Sequence, residues 1–130
     1  MQRLTNQKQV ILDYVQSVYS HPTAEEVYLA VKRKLPRISL GTVYRNLENF
    51  AEEGTILELR GRIKRYDGNT SNHQHFICTN CDHVFDIFEK SINLNKIRKK
   101  IYKIGRIKRY DFYIYGICRS CHSKNNKKIK

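Results

Sequence analysis

Acidic residues are scarce in this chain of 130 residues: 12 Asp and Glu stand against 25 Lys and Arg, a formal net charge of +13. The deficit excludes a charge-balanced surface and favours polyanionic partners, which means DNA, RNA or an anionic membrane. Long apolar runs are absent as well. No stretch approaches the roughly 20 residues that a membrane-spanning helix needs. The polar segment Met1 to Gln9 lacks the apolar core of a secretory signal. The expectation is a cytoplasmic protein with no membrane partner. The two prolines, Pro22 and Pro36, act as breaks in the first third of the chain. The length fits one ordinary domain or two very small ones, and two thin cores would gain from a metal staple or a dimer interface.

What is present reads first as helices. Val10, Ile11, Tyr14, Val15 and Val18 recur at helical spacing between Thr5 and Tyr19. After the His21-Pro22 break, Thr23 and Glu26 form a capping-box pattern for a second helix with Val27, Tyr28, Val31 and Leu35 inward, ended by Pro36. Ser39 caps a third, Leu40 to Glu53, with Val43, Leu47, Phe50 and Ala51 inward and Gly54 as its stop. Two short strands, Thr55–Arg60 and Ile63–Tyr66, follow around Gly61. Three helices and a hairpin predict a winged helix-turn-helix whose third helix enters the major groove. Thr42, Tyr44, Arg45 and Asn46 are its candidate DNA contacts, and Arg60, Arg62, Lys64 and Arg65 on the wing would meet phosphates. Tyr44, beside Val43 and Leu47, also suits core packing.

Composition then shifts. Residues 67–72 are rich in Gly, Asn and Ser and read as a linker. Beyond it, Gln74–Thr79 and Val84–Phe88 read as strands, Leu94, Ile97, Ile101 and Ile104 as a helix stripe, and Asp111–Ile117 as a strand apolar on both faces. A strand buried on both sides in so small a domain calls for a partner subunit. The expected organisation is a DNA-binding domain over 1–66, a hinge over 67–72, a dimerisation and metal-binding domain over 73–122 and a solvated basic tail over 123–130. The fold class is α+β, a winged helix-turn-helix followed by a small α/β domain. Much of the positive charge lies in Lys96 to Lys103, Arg106 to Arg109 and Lys124 to Lys130.

Two cysteine pairs, Cys78-x-x-Cys81 and Cys118-x-x-Cys121, are separated by 36 residues. Each pair follows a strand and is short enough to clamp one ion. Four thiolates in a tetrahedron suit a structural Zn2+ and leave no open position for catalysis. Redox-active dithiols or free buried cysteines are the competing reading. His83 and His122, adjacent to the cysteines, read as turn and surface residues. A second grouping is His73 and His75, which share one face of a strand, with Asp67 upstream, Asp86 on the next strand and His21 between two helices. Imidazoles with carboxylates suit Fe2+ or Mn2+, although nearby histidines are often ordinary core or surface residues.

Four segments, His21-Pro-Thr-Ala-Glu-Glu-Val-Tyr28, Thr42-Val-Tyr-Arg-Asn-Leu47, His73-Gln-His-Phe-Ile-Cys-Thr-Asn-Cys81 and Tyr115-Gly-Ile-Cys-Arg-Ser-Cys121, resemble the ferric uptake regulator (Fur) family, in order, from about Leu4 to Cys121. The resemblance implies a dimeric winged-helix repressor. Within the family the chain is most similar to the peroxide-sensing, PerR-like branch. Asp67 stands where iron sensors usually carry Glu, Asn72-His73-Gln74-His75 lacks the His-His-Asp-His pattern of iron sensors, and Arg109-Tyr110-Asp111 holds no histidine for an extra regulatory site. The resemblance implies a regulatory metal set of His21, Asp67, His73, His75 and Asp86, with His21 or His73 open to oxidation. Relatives usually carry a further N-terminal helix, whereas this sequence starts a few residues before Leu4-Thr5-Asn6-Gln7.

The expected function is a metal-dependent repressor of double-stranded operator DNA, working as a homodimer and sensing peroxide through Fe2+-mediated oxidation of a ligand histidine. An iron- or zinc-level sensor of the same family is one alternative. A basic zinc-ribbon RNA-binding protein is another, but it leaves the Thr42–Leu47 motif and the His/Asp set unexplained. No arrangement of nucleophile and general base suggests an enzyme.

Overall fold

The computed structural model describes residues 5–90 and 92–123, so all of the expected tail beyond Ser123 lies outside the described residues. The chain divides into two units, one ending at Ser71 and the next beginning at Asn72. The first is built from α1 (Asn6–Ser17), α2 (Ala24–Val31), α3 (Leu40–Glu52), β1 (Leu57–Leu59) and β2 (Arg65–Asp67). Each helix start follows from a side-chain cap that satisfies an otherwise unpaired amide. The Thr5 hydroxyl accepts from the Lys8 amide at 3.3 Å, and the Ser39 hydroxyl accepts from the Thr42 amide at 3.1 Å. At α2 both limbs of the Thr23–Glu26 capping box are formed. Glu25 and Glu26 also meet the positive end of the helix dipole there.

Helix α2 stops before Pro36 is reached. The residue before a proline is driven out of the helical region, and the turn beyond α2 carries a tightened 34→31 backbone bond beside an ordinary 35→31 one. Gly54, at φ +79°, takes the left-handed stop after α3, and the Thr55 amide returns to the Phe50 carbonyl. The wing strands pair antiparallel, with Leu57 opposite Asp67 and Leu59 opposite Arg65. The first is shorter than expected at both ends, and the second starts two residues later and runs one residue further, to Asp67. Ile11, Val15, Val27, Val31, Val43 and Leu47 form the core, closed by Ile56 and Tyr66 from the wing side. Ala51, expected inward, is only half-buried.

The expected hinge at 67–72 is corrected at its start. Asp67 is a paired strand residue, and Gly68 is pressed against α1. A Cβ on Gly68 would lie 2.6 Å from both the Val15 carbonyl oxygen and the Gln16 Cα, so only glycine fits. Asp67 then accepts from the Asn69 amide at 2.9 Å, and Asn69 accepts from the Ser71 amide at 3.0 Å. Glycine and asparagine mark close approach and side-chain-closed turns here rather than a loose linker.

The second unit carries β3 (Gln74–Cys78), β4 (Val84–Ile87), α4 (Asn95–Ile101) and β5 (Tyr113–Gly116). The sheet order is β4-β3-β5, with β3 antiparallel to β4 and parallel to β5. Its fully buried apolar residues are few: Ile77, Val84 and the cysteines 78, 118 and 121. The apolar side chains of the last strand region stay open in the single chain, with Phe112 39%, Ile114 41%, Tyr115 54% and Ile117 49% exposed. The expected inward stripe of the fourth helix is not buried either: Ile97 and Ile104 are exposed, and α4 buries no residue. Among the described residues no helix is long and apolar enough to cross a membrane.

Gly68→Ala should lower unfolding free energy by about 1–3 kcal/mol, the usual cost of forcing atoms into a packed contact. Gly105→Ala, where an added Cβ meets nothing within 4 Å, should be neutral or slightly stabilising. Urea denaturation of the two variants checks both expectations.

Candidate metal centres

The sheet order brings the two cysteine pairs together. Strand β3 ends at Cys78, opposite Gly116 of β5, so the chain leaving β5 delivers Cys118 and Cys121 to the turn that follows β3. One sulfur from each of the four cysteines lies within 4.8 Å of every other. Cys81 Sγ is 3.9 Å from Cys118 Sγ. The amides of Cys81 and Cys118 donate to Cys78 Sγ at 3.4 and 3.3 Å. Those bonds, led by Cys118, hold the Cys78 thiol down to about 6, close to the thiolate form a metal requires. The His83 amide pulls the Cys81 thiol down, but burial and the three neighbouring sulfurs outweigh it and push it up to about 12. Four crowded sulfurs with amides aimed at them favour a soft divalent cation, so the four-cysteine cluster is consistent with a structural zinc site.

Local geometry supports this cluster. Asp82 takes the left-handed conformation, φ 62°, and its amide donates to the Cys78 carbonyl at 2.9 Å, closing the knuckle. A Cβ on Gly116 would meet the Phe76 ring at 3.1 Å. Glycine thus lets that ring pack beside Cys78, Cys118 and Cys121. Neither role was read from the sequence, although a glycine inside a strand signals such close approach. His83 and His122 are exposed and stand outside the cysteine group.

Imidazole and carboxylate meet in each unit. In the first, His21 Nε2 lies 3.6 Å from Asp67 Oδ2, both side chains nearly buried. His21 is held at φ 54°, a conformation that costs a residue with a Cβ about 1–3 kcal/mol. Two hydrogen bonds from β2 hold the His21-Pro22 corner. The Tyr66 amide donates to the Pro22 carbonyl at 2.9 Å, and Arg65 Nη1 donates to the His21 carbonyl at 3.0 Å. In the second unit, His73 Nε2 and His75 Nε2 lie 3.2 and 3.4 Å from the same Asp86 oxygen. The ladder explains this, since His75 is the cross-strand partner of Asp86 and His73 is two residues away on the same face. Phe88 stacks on His73 and Tyr113 on His75, fixing the ring planes. These aromatics were missed in the sequence, where only the strand register could have paired them with the histidines. Both clusters offer nitrogen and oxygen donors of the kind that suits Fe2+ or Mn2+.

The profile of the ferric uptake regulator family matches residues 1–115. This chain belongs to that family. It is 35% identical over 127 residues to the "Peroxide-responsive repressor PerR" of Staphylococcus epidermidis, spanning 95% of this chain and 84% of that protein. It is also 35% identical over 125 residues to the protein of the same name from Staphylococcus aureus strain USA300. Its fold is similar to that of the Campylobacter jejuni peroxide stress regulator, with TM-score 0.73 and 29% identity over 88% of each chain. It also resembles the Helicobacter pylori Fur structure, with TM-score 0.78 and 21% identity over 92% of this chain and 82% of that one. The Fur family consists of transcription regulators rather than enzymes, and its α+β fold is the one seen in this chain.

In this Fur-family chain the third helix exposes Arg45 and half-buries Thr42 and Tyr44. Thr42 Oγ1 accepts from Arg45 Nη2 at 3.1 Å. The Tyr44 hydroxyl donates to Glu25 Oε1 at 2.5 Å, which holds the Glu25 carboxyl below its ordinary range and raises the phenol. Asn46 is corrected: it is buried, and its Nδ2 donates to the Thr42 carbonyl at 2.9 Å, so it serves the helix interior. Arg65 is corrected as well, because its guanidinium is turned inward to His21 and Glu26. Arg60, Arg62 and Lys64 are exposed on the wing, where Lys64 reaches Glu58 at 3.1 Å.

Cys118→Ser should lower bound zinc from about one ion per chain to near zero, since a tetrahedral thiolate site missing one ligand is left open. It should also unfold the second unit or leave the protein monomeric. His83→Ala should keep full zinc content. Metal analysis and sedimentation of the purified variants decide between them.

Proposed function

We propose that this regulator is a homodimeric repressor in the cytoplasm that binds double-stranded operator DNA and releases it on exposure to peroxide. Its structural ion is Zn2+ on Cys78, Cys81, Cys118 and Cys121. Its regulatory ion is Fe2+ or Mn2+ on His21, Asp67, His73, His75 and Asp86. The observation that carries the reading is the carboxylate at position 67, an aspartate within 3.6 Å of His21, where the iron-sensing relatives usually have glutamate. The staphylococcal PerR similarity points the same way.

The regulatory ligands come from both units. Binding metal would favour one arrangement of the two DNA-binding units of a dimer, and DNA must by reciprocity tighten metal binding. Thr42, Tyr44 and Arg45 would face the bases, while Arg60, Arg62 and Lys64 hold phosphates. The exposed apolar residues around β5 supply a surface suited to a second copy. Fe2+, which these imidazoles and carboxylates would hold, would activate hydrogen peroxide without being consumed in the net reaction. His21 or His73 then accepts one oxygen atom from hydrogen peroxide at a ring carbon, and one water is released. The altered imidazole no longer serves as a ligand, and the DNA-binding arrangement is lost.

Fe2+-loaded protein treated with peroxide should gain the mass of one oxygen on the peptide holding His21 or His73. Its affinity for an operator selected from random duplexes should fall by about 10- to 100-fold, within the usual range of such coupling. Mn2+-loaded protein should show neither change. His73→Ala should stay folded and zinc-replete but unresponsive. Unaltered mass and affinity in the Fe2+ form would overturn peroxide sensing in favour of sensing metal level alone.

A further inference from the structure

The largest block of positive charge in the described residues serves neither the metal clusters nor the recognition helix and wing. Between Glu89 and Asp111 the chain holds no acidic residue, and eight of its 25 Lys and Arg fall between Lys96 and Arg109. Arg109 is paired with Asp111 at 2.6 Å. The other seven, from Lys96 to Lys108, are exposed, and among the described residues no carboxylate pairs with any of them. In α4 the cations Lys96, Arg98, Lys99 and Lys100 spread around the helix rather than along one side. Beside them lies a surface cavity of about 380 Å³ lined by Arg98 and Arg106, with Ile101, Tyr102, Gly105 and Ile107 as its remaining wall.

Seven cations crowded into thirteen residues repel one another, and the three in the last turn of α4 offset only part of this through the helix dipole. Such a surface holds condensed anions and exchanges them favourably for a polyphosphate. Duplex DNA is the polyanion that a transcription regulator meets. Arginine is the side chain that forks phosphate oxygens, and two arginines line this one cavity. A lipid surface fits less well. The apolar side of α4 is Ile97 and Ile101 alone, Ile101 is already half-buried, and a seven-residue helix ringed by charge has little to insert.

We propose that α4 and the segment after it form a second DNA-binding surface, in the unit that does not carry the recognition helix. It grips the phosphate backbone without reading sequence. Such contacts raise affinity for any duplex and steepen its salt dependence while leaving operator choice to the first unit. This surface requires no peroxide response, so it stands or falls separately from peroxide sensing.

The test compares the full-length metal-loaded protein with its Arg98→Gln/Lys99→Gln/Arg106→Gln variant. These three side chains are exposed, so zinc content and melting temperature should be unchanged, which verifies folding. Binding to a random-sequence duplex is measured across a salt series. The slope of log affinity against log salt should become shallower by about two to three, near 0.9 for each phosphate left without its cation. The preference for operator over random duplex should persist. An unchanged slope would mean that the face is merely solvated and would overturn the proposal. Unchanged DNA binding with lost binding to phosphatidylglycerol vesicles, or lost binding to a structured RNA alone, would overturn it in favour of those partners.

Discussion

The second unit hangs on the pairing of β3 with β5 and the sulfur cluster at its end. Its buried apolar residues are too few to hold three strands on burial alone. Parallel strands also need a long connection whose closure entropy must be offset. Four cysteines brought to one end of the sheet would offset that cost through bonds to a metal ion, which can form only when the strands are in register. The amides aimed at Cys78 belong to the same arrangement, because hydrogen bonds to the sulfur favour the thiolate that a metal ion requires.

The imidazole cluster inherits its geometry from that register. His73 and His75 lead into the strand that Cys78 ends, so fixing β3 against β4 places Asp86 opposite His75 and brings both imidazoles to one carboxylate oxygen. The cluster in the first unit is positioned by different means. There β2 reaches back to the His21-Pro22 corner through Tyr66 and Arg65, and Gly68 seats the chain on α1 immediately after Asp67. A left-handed histidine at a corner that another element holds by hydrogen bonds to His21 and Pro22 is local strain supported by tertiary structure.

Charge divides the surface by task. On the wing the cations coexist with a carboxylate, as in the Lys64–Glu58 pair, and Arg65 is absorbed into structure. Around α4, among the described residues, no carboxylate neutralises the cations between Lys96 and Lys108. Excess of this kind destabilises an isolated fold and favours association with anions. The exposed apolar residues near β5 are a separate feature, suited to a like surface rather than to phosphate.

Much of this was legible from residue types and spacing. The caps at Thr5, Thr23 and Ser39, the helical stop at Gly54 and the cysteine pairs all act within a few residues, where sequence distance and spatial distance agree. The same holds for His73 and His75, which a two-residue strand period sets on one face. The sequence also carried the family motifs and hence the candidate ligand list. What it left open depends on contacts between distant segments. Asn46 and Arg65 look like DNA contacts by type and turn inward because Thr42, His21 and Glu26 offer them partners. The expected linker begins as strand because Gly68 finds a helix backbone to lie against. Whether a polar side chain faces water or the interior is decided by the neighbours that folding supplies, and only the tertiary structure fixes those.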